Sequence, residues 1–587
     1  MGLEQKEEKI RKKEIVITSI LIFILSLLYG TTYAYGLYFD THGWQDFEFI
    51  HDAAEMNLKT MIGDLFFPGL DFFRGAHAQG VRTRIVEAFV LKGIHAFFGW
   101  NPFPYFFIKV LFIAATSTIV FLFLYESTRS KFFAISGASF FISLPSVFSS
   151  LLFMYDFGII AEFFIILSFF LFLKYEMQEE KLYLTDRNGL LYLFILGIIT
   201  LLGLKTKASA LIIPAFLFLY LLLFMRKRIA FYTPYFIFAF LLINPFYPLF
   251  HDQGSELEIL PKFRFAYVYE RLILNNAWDY NAEQTIPAIF SLKESIVRMP
   301  NTVTASFGLL LFWFLICCVL YLAYVKRNSA KNIFQYTTNK NIFMSNASRE
   351  TQFIFFFSLW FWIVLFFYQF DVMKNPLYSG TDMRYMTLAI VPLFLLLFTC
   401  ASACANLFRE KHVSFFGKIQ SVSNLFNCFF AIFLALTVVL NLAHSTVHLR
   451  GGYNAHNYAN VQLFTTLYND YYQTTITVYN FSEENAYYRA KDDTLINSTF
   501  TNYNFFDFAE YKMQLVENSI NETREANAGV EFYAVSLGAE FNMTSLNIDL
   551  LKRVDPCSIG FYEQWYCLLF ERKNNVPFVF YVYKIQW

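Results

Sequence analysis

The sequence has few charged residues for its length. Only 16% of its 587 residues are Asp, Glu, Lys or Arg, whereas 56% are hydrophobic, and the mean hydropathy is +0.41. A soluble chain normally carries about a quarter charged residues, so this composition argues against a soluble protein. The 46 basic residues are balanced by 46 acidic ones. This lack of net positive charge gives no support for nucleic acid as a partner.

Three sequence signatures are also missing, and each absence argues against one kind of site or protein. No Cys/His spacing of the zinc-binding type occurs. No internal repeat of the kind found in many transporters is present. No small-residue cleavage site follows the first hydrophobic segment. That segment is therefore expected to remain in the protein as a membrane span.

Long hydrophobic segments are abundant instead, and they predict an α-helical polytopic membrane protein. Hydropathy indicates about eleven spans near the roughly 20 residues that a bilayer requires. The 76 Phe and 38 Tyr residues suit a lipid-facing surface and its interfacial belts. The predicted spans are 15–36, 105–125, 132–152, 157–174, 189–204, 208–225, 229–250, 303–325, 351–370, 384–408 and 424–446.

Basic residues predict which loops face the cytoplasm, because cytoplasmic loops are enriched in Lys and Arg. The five basic residues between Lys6 and Lys13 place the N-terminus inside, and an odd number of spans then places the tail outside. We therefore expect a multi-pass protein of the plasma (inner) membrane with an extracytoplasmic, periplasmic tail. The densest basic runs of the remaining inside loops are Arg129 and Lys131; Lys174, Lys181 and Arg187; Arg226, Lys227 and Arg228; Lys326, Arg327 and Lys331; and Arg409, Lys411 and Lys418.

The predicted topology divides the chain into two domains. Residues 1–446 form the transmembrane domain, whose first outside loop is 37–104, and residues 447–587 form a small extracytoplasmic domain. Alternating segments at 474–479 and 578–583 are typical of strands, so an α+β fold is expected for this tail. Its only cysteines are Cys557 and Cys567, and we predict a disulfide between them, as an oxidising compartment would allow.

Acidic residues cluster directly after the first span, at Asp46 and Glu48. Carboxylates are costly beside lipid unless they have a role, and one at this position could take a proton from an acceptor hydroxyl. A third acid, Asp156, lies in the hairpin between the third and fourth spans. Asp46, Glu48 and His51 could also ligate Mg²⁺ or Mn²⁺. The spacing specifies no geometry, so we assign no metal site and predict no cofactor. Solvated loop acids are the alternative interpretation.

Basic residues in the outside loops run against the positive-inside trend. Lys205 and Lys207 flank Thr206 in a turn between two spans, where an ammonium could hold the phosphate of a lipid-linked donor. Arg384 and Tyr385 open the tenth span, where a guanidinium could bind a phosphate bidentately. Contact with lipid headgroups and snorkelling are the alternatives. In the first outside loop, Arg82, Arg84 and His51 are expected to line a donor or acceptor groove. For the two arginines, contact with headgroups is the alternative.

Together these motifs resemble the GT-C superfamily of integral-membrane glycosyltransferases. They are similar in style to protein mannosyltransferases and aminoarabinose transferases, which use polyprenyl-phosphate sugars. The resemblance covers about 15–446. Its motifs, in chain order, are Asp46-Phe47-Glu48; Asp156; Thr206-Lys207-Ala208-Ser209-Ala210-Leu211-Ile212-Ile213-Pro214; and Arg384-Tyr385 with Pro392.

The resemblance implies roles for individual residues. Asp46 resembles the catalytic base, Glu48 lies beside it, and Asp156 resembles a second acid near the reaction centre. Lys207 and Arg384 resemble the groups that hold the donor phosphate, and Lys205 and Tyr385 lie beside them. Direct displacement would invert the anomeric carbon. The implied partners are the lipid bilayer, a polyprenyl-phosphate-linked sugar donor and a glycan, lipid or protein acceptor of the cell envelope.

Two other classes of protein remain open on the sequence alone. Polysaccharide polymerases and O-antigen ligases also act outside the membrane on polyprenyl-linked glycans, but their key residues tend to lie in one late loop. A transporter would place charges in the middle of its spans and show repeat symmetry. The predicted spans are nearly free of charge, with Glu162 as the main exception. The early position of the acids favours the glycosyltransferase.

Overall fold

The structure is a computed structural model, and it describes part of the chain. In the transmembrane domain the described residues are 2–38, 45–66, 84–152, 154, 157–176, 184, 186–243, 309–336, 349–367, 387–409, 412–415 and 418–451. In the tail they are 454–455, 458, 462, 477–480, 487–489, 532–537, 547–558, 560–561, 563–565 and 580–586.

The described part of the transmembrane domain is almost entirely helical, and every predicted span overlaps a helix. The helices are α1 (Gly2–Ala34), α2 (Gln45–Glu55), α3 (Leu58–Phe66), α4 (Ile85–Phe98), α5 (Pro102–Thr128), α6 (Lys131–Ser143), α7 (Pro145–Leu152), α8 (Gly158–Glu176), α9 (Arg187–Thr206), α10 (Ile212–Phe224), α11 (Ile229–Ile243), α12 (Leu309–Tyr336), α13 (Arg349–Phe367), α14 (Thr387–Leu407) and α15 (Val422–Ala443). Short 3₁₀ turns precede α10 and α11, at Ala208–Leu211 and Arg226–Arg228, and a π-helical turn, His444–Gly451, follows α15.

Seven helical segments of the described chain are long and apolar enough to cross a bilayer. They are Ile10–Ala34, Pro102–Thr128, Lys131–Leu152, Gly158–Glu176, Arg187–Thr206, Ile390–Leu407 and Val422–Thr446. Shorter apolar helices cover Ser209–Phe224, Leu310–Val325 and Glu350–Val364. The chain is thus mostly helical, with several helices long and apolar enough to cross a membrane, as predicted. The higher predicted number of spans stays a prediction.

The predicted third span is broken into two helices at a proline. α6 ends at Ser143, Leu144 is extended (φ −60°, ψ 123°), and α7 begins at Pro145. A residue before proline is disfavoured in the helical region, and proline is tolerated at the first position of a helix. The break therefore follows from the sequence itself.

Contacts between helix ends define two ends of the bundle. At one, which we call the α2 end, the Tyr33 hydroxyl donates to the Ser445 carbonyl at 3.2 Å, so the ends of α1 and α15 meet. At the other, the basic end, Glu14 pairs with Lys131.

Helices α5 and α8 run side by side in the same direction from the α2 end. Their paired rings are 5.1 Å apart for Phe112 and Phe163 and 5.4 Å apart for Phe123 and Phe170.

A buried polar network at the basic end joins α8, α9 and α11. The Arg228 guanidinium donates to both carboxylate oxygens of Glu176, with Nη2 to Oε1 at 2.9 Å, and their side chains are 11% and 3% exposed. The Tyr232 hydroxyl donates to the same carboxylate at 2.7 Å and lies 3.1 Å from the Tyr192 hydroxyl. Glu176 thus compensates a cation that would otherwise be buried alone.

Two short strands, β1 (His412–Phe415) and β2 (Lys418–Ser421), pair antiparallel between α14 and α15. Strands β3 to β7 of the tail form one mixed sheet. They are β3 (Thr477–Asn480), β4 (Tyr487–Arg489), β5 (Phe532–Leu537), β6 (Asn547–Val554) and β7 (Phe580–Gln586), in the spatial order β4-β3-β5-β7-β6. β3 pairs in parallel with β5, and the other pairs are antiparallel. Both predicted alternating segments contribute to a strand. The α+β class and the domain boundaries stay predictions.

The cysteines of the described chain fall into two groups. Cys557 is disulfide-bonded. Its predicted partner, Cys567, lies outside the described residues, so the pairing itself stays a prediction. The free cysteines all belong to the helical domain: Cys317, Cys318, Cys400, Cys404 and Cys428.

Close packing of α1 against α5 makes Gly30 sensitive to substitution. A Cβ at Gly30 would lie 2.6 Å from Cγ1 of Val110, whose β-branched side chain is stiff in a helix. We expect Gly30→Ala to destabilise the protein by about 1–3 kcal/mol, the usual cost of overpacking. Gly93→Ala in α4 is the matched control, because nothing lies within 4 Å of its Cβ position. Thermal unfolding in nanodiscs should show a lower midpoint for Gly30→Ala alone.

Candidate functional site

The predicted acidic residues Asp46 and Glu48 both lie at the start of helix α2. This helix spans Gln45–Glu55, so both acids belong to its first turn. Positions two residues apart lie on different faces of a helix, so the two acids are not equivalent. Their side chains lie outside the described part of the structure.

Helix α2 is held by residues that follow it closely in the chain. The Arg84 guanidinium lies over the ring of Phe49, 5.6 Å from its centroid. The Lys92 ammonium donates a hydrogen bond to the Ala54 carbonyl. Both basic residues come from α4 or its N-cap, so α4 fixes the position of α2. Arg84 therefore supports the acidic helix, and its predicted place in a substrate groove stays untested.

His51 lies on the exposed surface of α2. Its Nε2 is 3.3 Å from Oε1 of Glu55, one helical turn away, and both side chains are more than half exposed. Within the described residues no group of three or more His, Cys, Asp or Glu side chains could hold a metal ion. The predicted metal alternative involves the side chains of Asp46 and Glu48, and these are not described.

The predicted lysine turn is in fact the end of α9. Lys205 and Thr206 form its last turn, and Lys207 is extended (φ −158°, ψ 143°) before the following 3₁₀ turn. Lys205 is buried, with 8% of its surface exposed, whereas Lys207 is half-buried. The two lysines thus differ in burial, and an ammonium as deeply placed as that of Lys205 needs a polar environment. Their predicted role in binding a donor phosphate stays a prediction.

Gly203 allows the end of α9 to approach its neighbours closely. A Cβ at this position would lie 3.1 Å from Cβ of Ala210 and 3.3 Å from Cβ of Phe164. The end of α9 thus packs beside the beginning of α8, at the α2 end of the bundle. α4 contacts both α2 and α9. One helix therefore bridges the acidic helix and the helix that ends in the lysines.

Lys109 is a functional candidate that the sequence argument missed. It lies inside α5 and is completely buried. Its ammonium donates to the Ser150 carbonyl at 3.0 Å and lies 5.3 Å from the ring centroid of Phe157. Ser150 and Phe157 flank the segment that contains Asp156. The signal in the sequence was a single lysine within an apolar span, which is expensive unless it has a purpose.

Two glutamates are also buried at the α2 end of the bundle. Glu87 in the first turn of α4 is 1% exposed, and one of its carboxylate oxygens is 3.8 Å from Nη1 of Arg84. Glu162 in the first turns of α8 is 6% exposed. Glu87 was not singled out from the sequence, because it reads as an ordinary loop acid. The α2 end thus holds buried charges of both signs.

The remaining predicted site residues lie outside the described residues, so their positions stay predictions. They are Arg82, Asp156, Arg384 and Tyr385.

Comparison with known proteins gives no independent assignment: no family model matches the chain, and no curated protein matches it. The fold and site define a mostly helical protein with candidate membrane spans, in which Lys109, Glu87 and Glu162 are buried toward the same end of the bundle as the acidic helix α2. Any more specific function must come from the chemistry of that end.

Proposed function

We propose that the chain is a membrane glycosyltransferase that transfers a sugar from a polyprenyl-phosphate donor to an extracytoplasmic acceptor. The acceptor is a glycan, a lipid or a protein. In this proposal the protein has about eleven spans, resembles the GT-C superfamily, and lies in the plasma (inner) membrane. The α2 end and the tail face away from the cytoplasm, and the basic end faces inward, in line with the positive-inside rule.

The observation that carries the proposal is the bridging position of α4. It contacts α2, which contains Asp46 and Glu48, and α9, which ends at Lys205 and Thr206. Transfer from a lipid phosphate needs a base for the acceptor and cations for the leaving group. The bridge brings the helices that supply both kinds of group to the same end of the bundle.

The mechanism assigns each group one task. Asp46 takes the proton of the acceptor hydroxyl, and the acceptor oxygen attacks the anomeric carbon from the face opposite the phosphate. The bond from that carbon to the phosphate oxygen breaks, and polyprenyl phosphate leaves with the bonding electron pair. Lys207, Lys205 and Arg384 stabilise the negative charge on the leaving phosphate. Attack from the opposite face inverts the anomeric carbon.

The depth of Glu162 supports a site near the membrane surface over a transport pathway. Lys109 is seven residues inside α5 and Glu162 is four residues inside α8. At about 1.5 Å per residue, these depths are roughly 10 Å and 6 Å. The middle of the hydrocarbon core lies about 15 Å from its surface. Glu162 is thus nearer the α2 end than the centre, where a transporter binds its substrate, whereas Lys109 lies about two thirds of the way to the centre.

The test is a transfer assay with purified protein in nanodiscs and a panel of polyprenyl-phosphate hexoses and pentoses. Wild-type protein should release polyprenyl phosphate from one of these donors. Lys207→Met should raise the donor KM by about tenfold, because losing a charge-assisted hydrogen bond of about 1.5 kcal/mol weakens binding by that factor.

Lys227→Met is the matched control, because Lys227 is an exposed lysine at the basic end. Its donor KM should stay at the wild-type value. Failure of the wild-type protein to release polyprenyl phosphate from every donor would contradict the proposed function. An unchanged KM in Lys207→Met would contradict only the role of that lysine.

A further inference from the structure

A buried arginine joins the end of α1 to the tail. Arg450 lies in the π-helical turn after α15, and its Nε and Nη2 donate to the carbonyls of Tyr33 and Tyr35 at 2.8 and 2.7 Å. Its Nη1 donates to Oε1 of Glu563 at 3.0 Å, and the two side chains are 6% and 2% exposed. One guanidinium therefore links three separate parts of the chain.

Asn454 completes this cluster. Its Nδ2 donates to the Gly36 carbonyl at 3.0 Å and to Oε1 of Glu563 at 2.8 Å, while its Oδ1 accepts from the Tyr38 amide at 2.8 Å. Gly36 has φ +78°, the left-handed conformation that favours glycine, so the chain turns sharply there. We call Arg450, Asn454 and Glu563 the α1 clamp.

The α1 clamp supplies what the end of a helix lacks. The last carbonyls of a helix have no partner within it and carry the negative end of its dipole. Arg450 and Asn454 provide donors to three carbonyls at or just beyond the end of α1. Glu563 then balances the buried charge of Arg450. Tyr38 is half-buried beside this cluster, and this partial burial, followed by Tyr458 and Glu563, raises the pKa of its hydroxyl.

The chain that leaves this clamp leads to α2. Residues 37–38 lie at the clamp, and α2 begins at Gln45. α2 is held on its other side by Arg84 and Lys92, as described above. The acidic helix is thus placed between two fixed points, one supplied by α4 and the other by the tail.

We propose that Arg450, Asn454 and Glu563 are positioning residues, which fix the direction in which the chain leaves α1 toward the acidic helix. The tail is then a structural part of the candidate site rather than a separate recognition module. The positional part of this inference stands without the proposed function, whereas its catalytic consequence rests on it.

Amide hydrogen exchange of the full-length protein in nanodiscs tests the positional part. Arg450→Lys keeps the charge but cannot form the fork to two carbonyls. Asn454→Ala keeps the ion pair but removes the bonds to Gly36 and Tyr38. Both variants should speed exchange of residues 35–38 and 45–55 by about tenfold or more, as expected for easier local opening. Arg553→Met, which changes an exposed arginine of the same tail, should leave it unchanged.

Wild-type exchange in Asn454→Ala and Arg450→Lys would overturn the proposal. If Arg450→Lys does not yield folded protein, Asn454→Ala decides alone. The charge swap Arg450→Glu with Glu563→Arg gives a second test, because a carboxylate at position 450 cannot donate to the carbonyls of Tyr33 and Tyr35. Exchange in the swap should therefore be as fast as in the other variants. Exchange at the wild-type rate would show that the ion pair alone is sufficient and that the hydrogen bonds to the carbonyls are not needed.

The catalytic part has its own readout. In the transfer assay, Asn454→Ala should lower kcat by about tenfold with an unchanged donor KM, because a misplaced base slows chemistry without weakening donor binding. An unchanged kcat beside faster exchange would overturn the catalytic consequence and leave the positional role intact. Absence of transfer by the wild-type protein would count against the proposed function only, since exchange is measured without substrate.

Discussion

Asp46→Asn is expected to lower turnover by on the order of 10²-fold or more, the usual contribution of a general base. Asparagine keeps the size and much of the hydrogen bonding of aspartate, but it cannot accept a proton at neutral pH. The first turn of α2 stays helical with either residue, so folding should be unaffected. The measurement is kcat in the polyprenyl-phosphate-sugar assay, with the thermal midpoint recorded for each protein.

Glu55→Gln is the matched control for this prediction. Glu55 is an exposed acid of the same helix, and its contact is the surface pair with His51. Its turnover should remain close to the wild-type value. Turnover of Asp46→Asn at the wild-type level would remove Asp46 as the base, and the role would then pass to Glu48 or Asp156.

Glu176→Gln is expected to cost about 3 kcal/mol of stability, because removing one partner of a buried ion pair leaves the other charge uncompensated. Arg228 is only 11% exposed and donates to both oxygens of Glu176. The glutamine keeps the shape but loses the charge. Thermal unfolding in nanodiscs should show a midpoint several degrees below that of the wild type.

Two further variants sharpen this test. Glu126→Gln breaks a more exposed pair with Arg129 at the same end of the bundle, so it should change stability by no more than about 1 kcal/mol. Combining Glu176→Gln with Arg228→Gln should cost less than Glu176→Gln alone, since no charge is then left buried. A double variant less stable than the single one would show that charge compensation is not the cause.

The sequence predicted the helices well because lipid leaves few choices. Backbone groups in a bilayer must be satisfied within the segment, so an apolar run of sufficient length forms a helix. The strands of the tail were indicated by alternation, as at 578–583, which overlaps β7. The break before Pro145 was also readable, although hydropathy alone treats 132–152 as continuous.

Burial and pairing were less accessible from the sequence. Lys205 and Lys207 look alike in the sequence, yet one is buried and the other half-buried. Glu176 and Arg228 looked like ordinary cytoplasmic charges, and Arg450 and Glu563 stood out in no motif. Such pairs join residues far apart in sequence, so local patterns carry no information about them. They depend on how the helices pack.

The position of β7 has a consequence for biosynthesis. β7 lies between β5 and β6 in the sheet, although it is the last of the three to be synthesised. Until residues 580–586 join them, β5 and β6 each present an unpaired edge, the kind of surface that proteases and chaperones detect in unfinished chains. Formation of the α1 clamp is delayed in a similar way, because Arg450 is synthesised 417 positions after Tyr33, to which it donates a hydrogen bond. The end of α1, the first helix to be synthesised, is therefore capped by residues that are synthesised much later. A truncated chain would lack both β7 and the α1 clamp.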